Sequence, residues 1–365
     1  MSLLEYIISH WTELMDQTFQ HLKLTLISIG IATVLGVSIG ILITRIERIA
    51  SVTLGFVGLI QTIPSLALLG FLLPLVGIGK VPAIIALFLY ALLPIVRNTY
   101  TGIKGIDPDV KEATIAMGMT SWQLLKYVEL PLAFPVILAG IRTSAVINVG
   151  IATLCALIAA GGLGEFIFRG ISLNNTQMIL TGAIPASLLA LLIDGFLGMV
   201  QRFYQSKALW FSTIAFGVVL TFVSFSSSDV QESRLVAGFN SEFIERADGF
   251  IGLDSLYNLP MEIREMEISL MYRALYEGDV DVIDGFSTDG RVKEFDLKLL
   301  EDDKGYFPPY FAIPLVNANT LSKYPQLKSC FDLLKNSISD SLMASLNYKI
   351  DGEKKDLKMV ANDFL

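Results

Sequence analysis

The chain has 365 residues, of which 53% are hydrophobic and only 17% are charged, and its mean hydropathy is +0.59. This composition lies outside the range of ordinary soluble domains and predicts a membrane protein. The net charge of −8 is uneven, because the acidic excess lies after residue 225, and we therefore expect two parts. An acidic chain offers no basic surface for a nucleic acid, so no nucleic-acid partner is expected.

The first part contains apolar runs that are long enough, or nearly so, to cross a bilayer core of about 30 Å as helices. These runs are 22–44, 53–78, 81–97, 131–160, 177–201 and 208–225. Prolines inside several of them free backbone carbonyls that only neighbouring helices or water can satisfy. The runs predict an all-α polytopic membrane bundle of six transmembrane helices with an interior path, surrounded by membrane lipid.

The residues before the first run, 1–20, carry apolar side chains at three- and four-residue steps with acidic residues between them. This pattern predicts an interfacial amphipathic helix anchored by Trp11.

Lysine and arginine residues cluster in the loops that follow runs one, three and five. Such residues mark cytoplasmic loops, so both the N-terminus and everything after the sixth run are expected outside. The sequence therefore predicts a multi-pass protein of the cell (inner) membrane with an extracytoplasmic C-terminal domain.

Segment 107–130 is a polar stretch with helix-forming signals between runs three and four. Asp107 can cap a helix, Pro108 suits the first turn, and Gly118 predicts a sharp turn within the segment. These signals leave open whether the segment is a docking surface or only a connector.

The spacing in this segment resembles the EAA loop of ABC importer permeases. It reads Glu112-Ala113-Thr114, three residues, Gly118, nine residues, Val128, one residue, then Leu130 and Pro131. The resemblance implies an ABC importer type I permease in which this loop docks on a separate cytoplasmic ATPase subunit. The implied ATPase-coupling positions are Glu112, Ala113, Gly118, Leu130 and Pro131. The chain has no ATP-binding motif of its own, so it is expected to be a transport subunit that is not an enzyme and has no cofactor.

Two longer stretches, QTIPSLALLGFLLP at 61–74 and GIRTSAVINVGIATLCALIAAGGLGEFIFRGI at 140–171, resemble the permease subunits of osmoprotectant importers for glycine betaine, carnitine and choline. The resemblance implies a homodimer with two ATPase subunits that moves a small quaternary ammonium substrate inward. A related branch carries ergothioneine, which stays open as an alternative.

The C-terminal part resembles the second half of the family's solute-binding domain. Residues 265–290 predict a helix, a strand and a turn, and residues 297–316 predict two short strands around an aromatic loop. By resemblance, Phe286 and Tyr310 fall at two positions of an aromatic cage that holds a quaternary ammonium group. Phe286 stands where the family commonly has Tyr, which suggests a modified ligand preference.

A two-lobe solute-binding domain needs more chain than follows the sixth run, and the first lobe has no counterpart here. We therefore expect a partial periplasmic-binding-protein-like α/β lobe. The expected organisation is an interfacial helix at 1–20, the permease domain at 21–207, a sixth helix and linker at 208–228, and a truncated solute-binding domain at 229–365. A transport-defective, membrane-anchored ligand sensor stays open as a second function.

Two charged residues, Arg142 and Asp194, lie inside runs four and five. Charges within a membrane are usually paired or face water, so we predict that these two meet in the inner half of the bundle. The pair would act either as a gate or as a fixed brace. Ser65, Asn148 and Asn175 are other polar groups near the expected path.

The sequence offers no pattern for catalysis or for metal binding. His10 and His21 are the two histidines, and Cys155 and Cys330, one apolar and one polar in setting, do not suggest a disulfide framework. The membrane part has no helical His pair, Ser-His dyad or acidic metal cluster, which argues against an intramembrane enzyme.

Overall fold

The computed structural model of the chain describes residues 2–203 and 235–364. The chain divides into two compact units, Met1–Ser233 and Arg234–Leu365, which we call the membrane unit and the C-terminal unit. The predicted sixth run, 208–225, and the predicted linker up to residue 228 lie outside the described residues.

The membrane unit is helical throughout its described residues. Its α-helices are α1 (Leu3–Ser9), α2 (Trp11–Arg45), α3 (Glu47–Thr62), α4 (Ser65–Val76), α5 (Lys80–Lys104), α6 (Pro108–Ala116), α7 (Ser121–Leu124), α8 (Leu130–Ala152), α9 (Gly164–Ser172) and α10 (Thr176–Phe203). A π-helical segment, Leu125–Glu129, joins α7 to α8, and a 3₁₀ helix, Thr153–Ile158, follows α8.

Four described helical stretches are long and apolar enough to cross a bilayer: Trp11–Arg45, Lys80–Lys104, Ser121–Ile158 and Thr176–Arg202. The predicted run 53–78 is not one straight helix, because α3 and α4 meet there at an angle of 96°. Ile63 is extended, with φ −69° and ψ 127°, as the ring of the following Pro64 favours. The two helices together form one broken span or a re-entrant loop.

The predicted interfacial helix at 1–20 is also divided. Helix α1 ends at Ser9, and Trp11 begins the 35-residue helix α2, so residues 11–20 extend the first span. The reason lies in polar contacts: Glu13 and Gln17 bind side chains of α9 within the protein.

Helices α2, α5 and α8 form the centre of the membrane unit through close approaches at small residues. A Cβ added at Gly40 would lie 2.5 Å from Thr99 Cβ, and one added at Gly140 would lie 2.7 Å from the Pro94 carbonyl oxygen. Small residues allow such close packing between membrane helices, where van der Waals contact replaces the hydrophobic effect as the driving force.

The predicted run 131–160 ends as a helix near Ile158 and then folds back. Ala159 is left-handed, with φ 57°, and Gly161 and Gly162 have φ values of 79° and 95°. A Cβ added at Gly164 would lie 1.9 Å from the Thr153 carbonyl oxygen, so the return into α9 requires a glycine there.

The C-terminal unit contains a three-stranded parallel sheet of order β2-β1-β3. Its strands are β1 (Leu235–Phe239), β2 (Met261–Glu265) and β3 (Val282–Ile283), and its helices are Ser241–Glu245, Phe250–Tyr257, Ile268–Glu277, Gly290–Glu294, Ala318–Lys323, Leu327–Asp332, Asp340–Asp351 and Leu357–Phe364. Leu235 pairs with Met261, and Ala237 pairs with Val282. The helix and strand predicted within 265–290 are confirmed.

The two strands predicted within 297–316 are wrong, because that segment forms neither strand nor helix. Its apolar side chains point into solvent: Phe311 is 80%, Ile313 70% and Leu315 88% exposed. A strand needs a partner for its backbone groups, and the described sheet ends at β2 and β3 without pairing to this segment.

Candidate functional site

Segment 107–130 folds as the sequence predicts, into a short helix, a sharp turn and the start of the next span. The Asp107 carboxylate accepts a hydrogen bond from the Asp109 N–H at 2.9 Å, and Pro108 is the first residue of α6. Gly118 closes the turn with φ 84°, a conformation that favours glycine. Thr120 then caps α7 through a reciprocal pair of hydrogen bonds with Gln123.

The segment presents a broad surface to solvent. Glu112, Ala113 and Gly118 are exposed, and a Cβ added at Gly118 would meet nothing within 4 Å. Leu130 and Pro131 are only half-buried at the start of α8. The arrangement leaves open space beside the turn for another molecule.

Large apolar side chains surround this turn. The motif spacing in the sequence predicted the turn but not these side chains. The exposed fraction is 59% for Ile115, 71% for Met117, 68% for Trp122 and 61% for Tyr127. Several large apolar side chains left exposed on one folded segment are typical of a protein interface. The signal was present in the sequence as apolar residues within a polar stretch.

Two contacts attach the segment to the helices beside it. The Lys111 ammonium donates to the Ile103 carbonyl at 2.8 Å, near the end of α5. Glu129, at the end of the π-helical segment, is 1% exposed and forms an ion pair with Arg45 at the end of α2.

Arg142 and Asp194 lie together in the membrane unit, joining α8 to α10. Arg142 Nε donates to Asp194 Oδ1 at 3.0 Å, and Nη2 donates to Oδ2 at 2.8 Å. Arg142 Nη1 also donates to Gln201 Oε1 at 2.9 Å, and the Gln201 amide donates to the Pro135 carbonyl at 3.1 Å. Gln201, which sequence reasoning missed, lies seven residues after Asp194 and so falls on the same helix face.

A cavity of about 660 Å³ opens beside this pair. Its lining consists of Pro135, Arg142, Asp194, Gly195, Gly198, Met199, Gln201 and Arg202. The ion pair is partly exposed there, with 29% of the Arg142 side chain and 39% of the Asp194 side chain accessible.

The three other polar residues singled out from the sequence take different positions. Ser65 begins α4, and Asn175 Oδ1 accepts from the Met178 N–H at 3.2 Å as a cap of α10. Asn148 is fully buried in α8, and neither its amide nitrogen nor its amide oxygen has a hydrogen-bond partner.

The N-terminal part of α2 holds the return segment 159–172 by polar contacts that the sequence analysis did not predict. The Gly162 N–H donates to Gln17 Oε1 at 2.6 Å, and the Gln17 amide donates to Glu165. Arg169 Nη1 donates to Glu13 Oε1 at 2.8 Å. Glu13 and Gln17 lie four positions apart along α2, a spacing that puts them on one face.

In the C-terminal unit, polar residues gather at the carboxyl ends of the parallel strands. The Asn240 N–H, directly after β1, donates to Asp284 Oδ1 at 2.9 Å, and Asp284 directly follows β3. Ser241 Oγ donates to Glu265 Oε1 at 2.6 Å at the end of β2. Burial raises the pKa of Asp284 to about 6, while the hydrogen bonds from Asn240 oppose that shift.

Phe286 and Tyr310, the predicted cage residues, lie next to each other near this edge. Their ring centroids are 6.1 Å apart and the ring planes meet at 86°, an edge-to-face contact. Phe286 is 62% and Tyr310 48% exposed. The Arg246 guanidinium lies 5.7 Å from the Tyr310 centroid, and the Tyr310 hydroxyl donates to Asp248 Oδ2 at 3.3 Å.

No group of three or more histidine, cysteine or carboxylate side chains that could hold a metal ion occurs within residues 2–203 and 235–364.

The helical membrane unit with its exposed turn has the architecture of ABC importer permeases, and the comparisons with known proteins identify the family. Residues 32–236 match the family model described as "Binding-protein-dependent transport system inner membrane component". Because this match covers more than half of the chain, the chain belongs to that family of membrane transport subunits, whose ATPase is a separate partner. Residues 226–365 match "Substrate binding domain of ABC-type glycine betaine transport system". The protein is thus a multi-pass inner-membrane permease with an extracytoplasmic binding-domain part.

A curated relative and a solved structure resemble the permease part. The chain is 44% identical over 207 residues to the glycine betaine/carnitine/choline transport system permease protein OpuCB of Bacillus subtilis (strain 168), a match that covers 57% of this chain and 95% of the relative. In the solved structure of the inward-facing MetNI methionine ABC transporter, one chain has the same fold, with a TM-score of 0.50 at 24% identity; the match covers 53% of this chain and 97% of that chain.

One relative spans both units. The ergothioneine transport permease/ergothioneine binding protein EgtU of Helicobacter pylori (strain G27) is 26% identical, over 91% of this chain and 86% of the relative. That alignment runs over 477 positions although this chain has 365 residues, so the relative carries residues with no counterpart here.

Proposed function

We propose that the protein is the permease of an importer for small quaternary ammonium compounds of the glycine betaine, carnitine and choline type. It works as a homodimer with two cytoplasmic ATPase subunits, which dock on segment 107–130. The observation that carries this proposal is the exposed turn of that segment, where a left-handed glycine lies among exposed apolar side chains.

The chemistry of the turn suits a protein partner. Gly118 and Ala113 let a second surface approach the backbone closely, and Glu112 offers a carboxylate for a basic group of the ATPase. Met117 and Trp122 supply the desolvated apolar contacts that dominate interface energies. A mere connector would not need such large apolar groups in solvent.

A second copy of the permease accounts for the exposure of α10. Only 6% of the most apolar 18-residue stretch of this helix is buried within the chain. The Arg142–Asp194 pair is partly accessible beside it. Charged groups that face lipid are costly, whereas charges that line a path between two permeases stay hydrated. In the homodimer, the cavity beside this pair belongs to the translocation path.

The substrate class rests on the aromatic pair Phe286 and Tyr310. A quaternary ammonium group has no hydrogen-bond donor, so aromatic faces recognise it through their quadrupoles. Both rings are accessible and lie close enough to contact one such group together. Ergothioneine also carries a trimethylated nitrogen, and the relative that spans both units is named for that compound, so it is the competing substrate.

The experiment that tests the coupling assignment is uptake by cells that express the chain with its ATPase subunits and lack other uptake systems for these compounds. We expect Gly118→Asp to abolish uptake and to prevent co-purification of the ATPase, while the amount of permease in the membrane is unchanged. Normal uptake by Gly118→Asp would overturn the assignment.

Gly278→Asp is the matched control for this variant. Gly278 has φ 81° and, like Gly118, open space within 4 Å of an added Cβ, but it lies in the C-terminal unit. It reproduces the backbone strain of about 1 kcal/mol without touching segment 107–130, so ATPase co-purification persists.

The same cells identify the substrate when labelled glycine betaine, choline, carnitine and ergothioneine are supplied separately. Energy-dependent accumulation of ergothioneine alone would replace the proposed substrates with the competing one. Accumulation of none, with no ATPase co-purified, would favour the membrane-anchored sensor.

A further inference from the structure

The ion pair between Arg45 and Glu129 connects two parts of the membrane unit that are 84 residues apart in the chain. Arg45 is the last residue of α2, and Glu129 is the last residue of the π-helical segment before α8. Arg45 Nη1 donates to Glu129 Oε1 at 3.2 Å, and Nη2 donates to Oε2. Two parallel hydrogen bonds of this kind fix the relative orientation of the two groups as well as their distance.

The two partners differ in exposure: only 2% of the Glu129 side chain is accessible, against 40% of the Arg45 side chain. A buried carboxylate that loses its cation is strongly unfavourable, because the low dielectric leaves its charge uncompensated. When the backbone at Glu129 moves, the end of α2 must therefore follow it.

Glu129 lies where the chain leaves segment 107–130. From Ser121 the helix continues through the π-helical segment into α8 without a break. A π-helical turn inside an α-helix is a local distortion that frequently marks a functional position. A displacement at the exposed turn around Gly118 thus reaches Glu129 along a continuous helix.

Helix α2 carries the displacement onward. Its 35 residues span about 52 Å at the helical rise, more than a bilayer core. At its other end Glu13 and Gln17 hold α9 and the return segment 159–172 through Arg169, Glu165 and the Gly162 N–H. One rigid helix therefore joins the cytoplasmic segment to the opposite side of the membrane unit.

We propose that the Arg45–Glu129 pair transmits movement of segment 107–130 to α2, and that Glu129 is a positioning residue for coupling ATP hydrolysis to transport. This inference rests on the proposed docking of the ATPase at segment 107–130. It adds a second connection, through α2, to the direct connection through α8.

The test uses the full chain with its ATPase subunits in proteoliposomes and compares substrate uptake with ATP hydrolysis. Glu129→Gln removes the buried charge and leaves Arg45 accessible to water, so the variant is expected to fold. Uptake is expected to fall about tenfold while hydrolysis changes less than about twofold, because the docking surface is intact. An unchanged ratio of substrate moved to ATP hydrolysed would overturn the proposal.

A second readout separates transmission from a purely structural role. Ser172→Cys, made with Cys330→Ser, places a reactive thiol at the exposed end of α9, while the native Cys155 is buried. In the parent, the rate of modification by a membrane-impermeant thiol reagent outside the vesicles is expected to change when ATP is enclosed within them, and Glu129→Gln is expected to abolish that change. An ATP-dependent change of parental size in Glu129→Gln would contradict transmission through α2.

Two further variants complete the design. Glu47→Gln breaks the exposed Lys104–Glu47 pair, which also joins two helix ends in the membrane unit, and should leave both readouts unchanged. Arg45→Lys keeps the charge but not the double hydrogen bond, so an intermediate effect is expected; it supplies the same readouts if Glu129→Gln does not accumulate. If Gly118→Asp uncouples transport and Glu129→Gln does not, this inference fails alone; if neither does, the proposed docking fails as well.

Discussion

The membrane unit and the C-terminal unit differ in how their polar groups find partners. In the membrane unit, buried polar contacts join residues far apart in the chain, as in Gln17 to Gly162, Arg45 to Glu129 and Ser144 to Ala91. In the C-terminal unit, several ion pairs are local and exposed, as in Arg246 to Asp248 and Arg273 to Glu277. The first kind specifies an architecture, and the second adds little stability.

The difference follows from the solvent that each unit meets. A polar group without a partner costs several kcal/mol in hydrocarbon, so long-range pairs constrain how membrane helices pack. In water the C-terminal unit can leave Phe311 and Leu315 exposed, although such a surface is typical of one that a further domain or partner covers. The membrane unit therefore depends more on polar contacts between distant residues than the C-terminal unit does.

Among the variants that test this difference between the units, the largest effect is expected at the Arg142–Asp194 pair. Asp194→Asn and Arg142→Gln should each lower uptake about thirtyfold, because each leaves one charge without its partner in the membrane. The double neutral variant should recover part of that loss, and uptake measured for all four proteins gives the coupling between the residues.

If the double variant recovers nothing, the pairing has no functional meaning and the contrast between the two units weakens. Arg202→Gln is the control, since Arg202 lines the same cavity at the end of α10 without belonging to the pair. It should reduce uptake much less than either single variant.

Local signals in the sequence predicted much of this architecture. Asp107, Pro108 and Gly118 specify the helix and turn of segment 107–130 through capping and backbone preferences that act over a few residues. The pairing of Arg142 with Asp194 was also predictable, because few groups in the membrane could balance either charge.

The remaining features depend on packing that a linear pattern does not contain. The bend at Ile63 and Pro64 follows a local rule, but the 96° angle depends on how α4 packs. The role of Gln17 was hidden because its position within an amphipathic pattern suggested a membrane surface, whereas its partner, Gly162, lies 145 residues away. The strands predicted at 297–316 failed for a related reason, since a strand requires a neighbour that sequence pattern alone cannot supply.

An intermediate effect is expected at the aromatic pair. Tyr310→Ala and Phe286→Ala should each weaken binding of the transported quaternary ammonium compound about tenfold, as loss of one cation–π contact predicts. Calorimetric titration of the full chain in lipid measures this.

Phe311→Ala tests whether the effect belongs to the pair. Phe311 is 80% exposed and adjacent in sequence to Tyr310, but no ring contact with Phe286 involves it. Equal loss of affinity in all three variants would mean that the surface binds through general apolar contact. The C-terminal unit would then not be a selective site.

The smallest expected effect is the pH dependence of the C-terminal unit, and its sign distinguishes two aspartates. Burial raises the pKa of Asp284 to about 6, so between about pH 4 and pH 6 the folded unit binds a proton that the unfolded chain does not, and stability falls as pH rises through that range. Asp284→Asn should therefore stabilise the unit at pH 7, by about 1 kcal/mol, seen as slower amide exchange in β1 than in the parent at the same pH. Although burial opposes it, the hydrogen bond from Arg291 holds the pKa of Asp289 below its usual value, so this group stabilises the fold above that value and loses its effect as pH falls. Asp289→Asn should accordingly speed amide exchange at pH 7. If both variants shift amide exchange in the same direction, Asp284 is not a buried carboxyl that destabilises the strand edge when ionised.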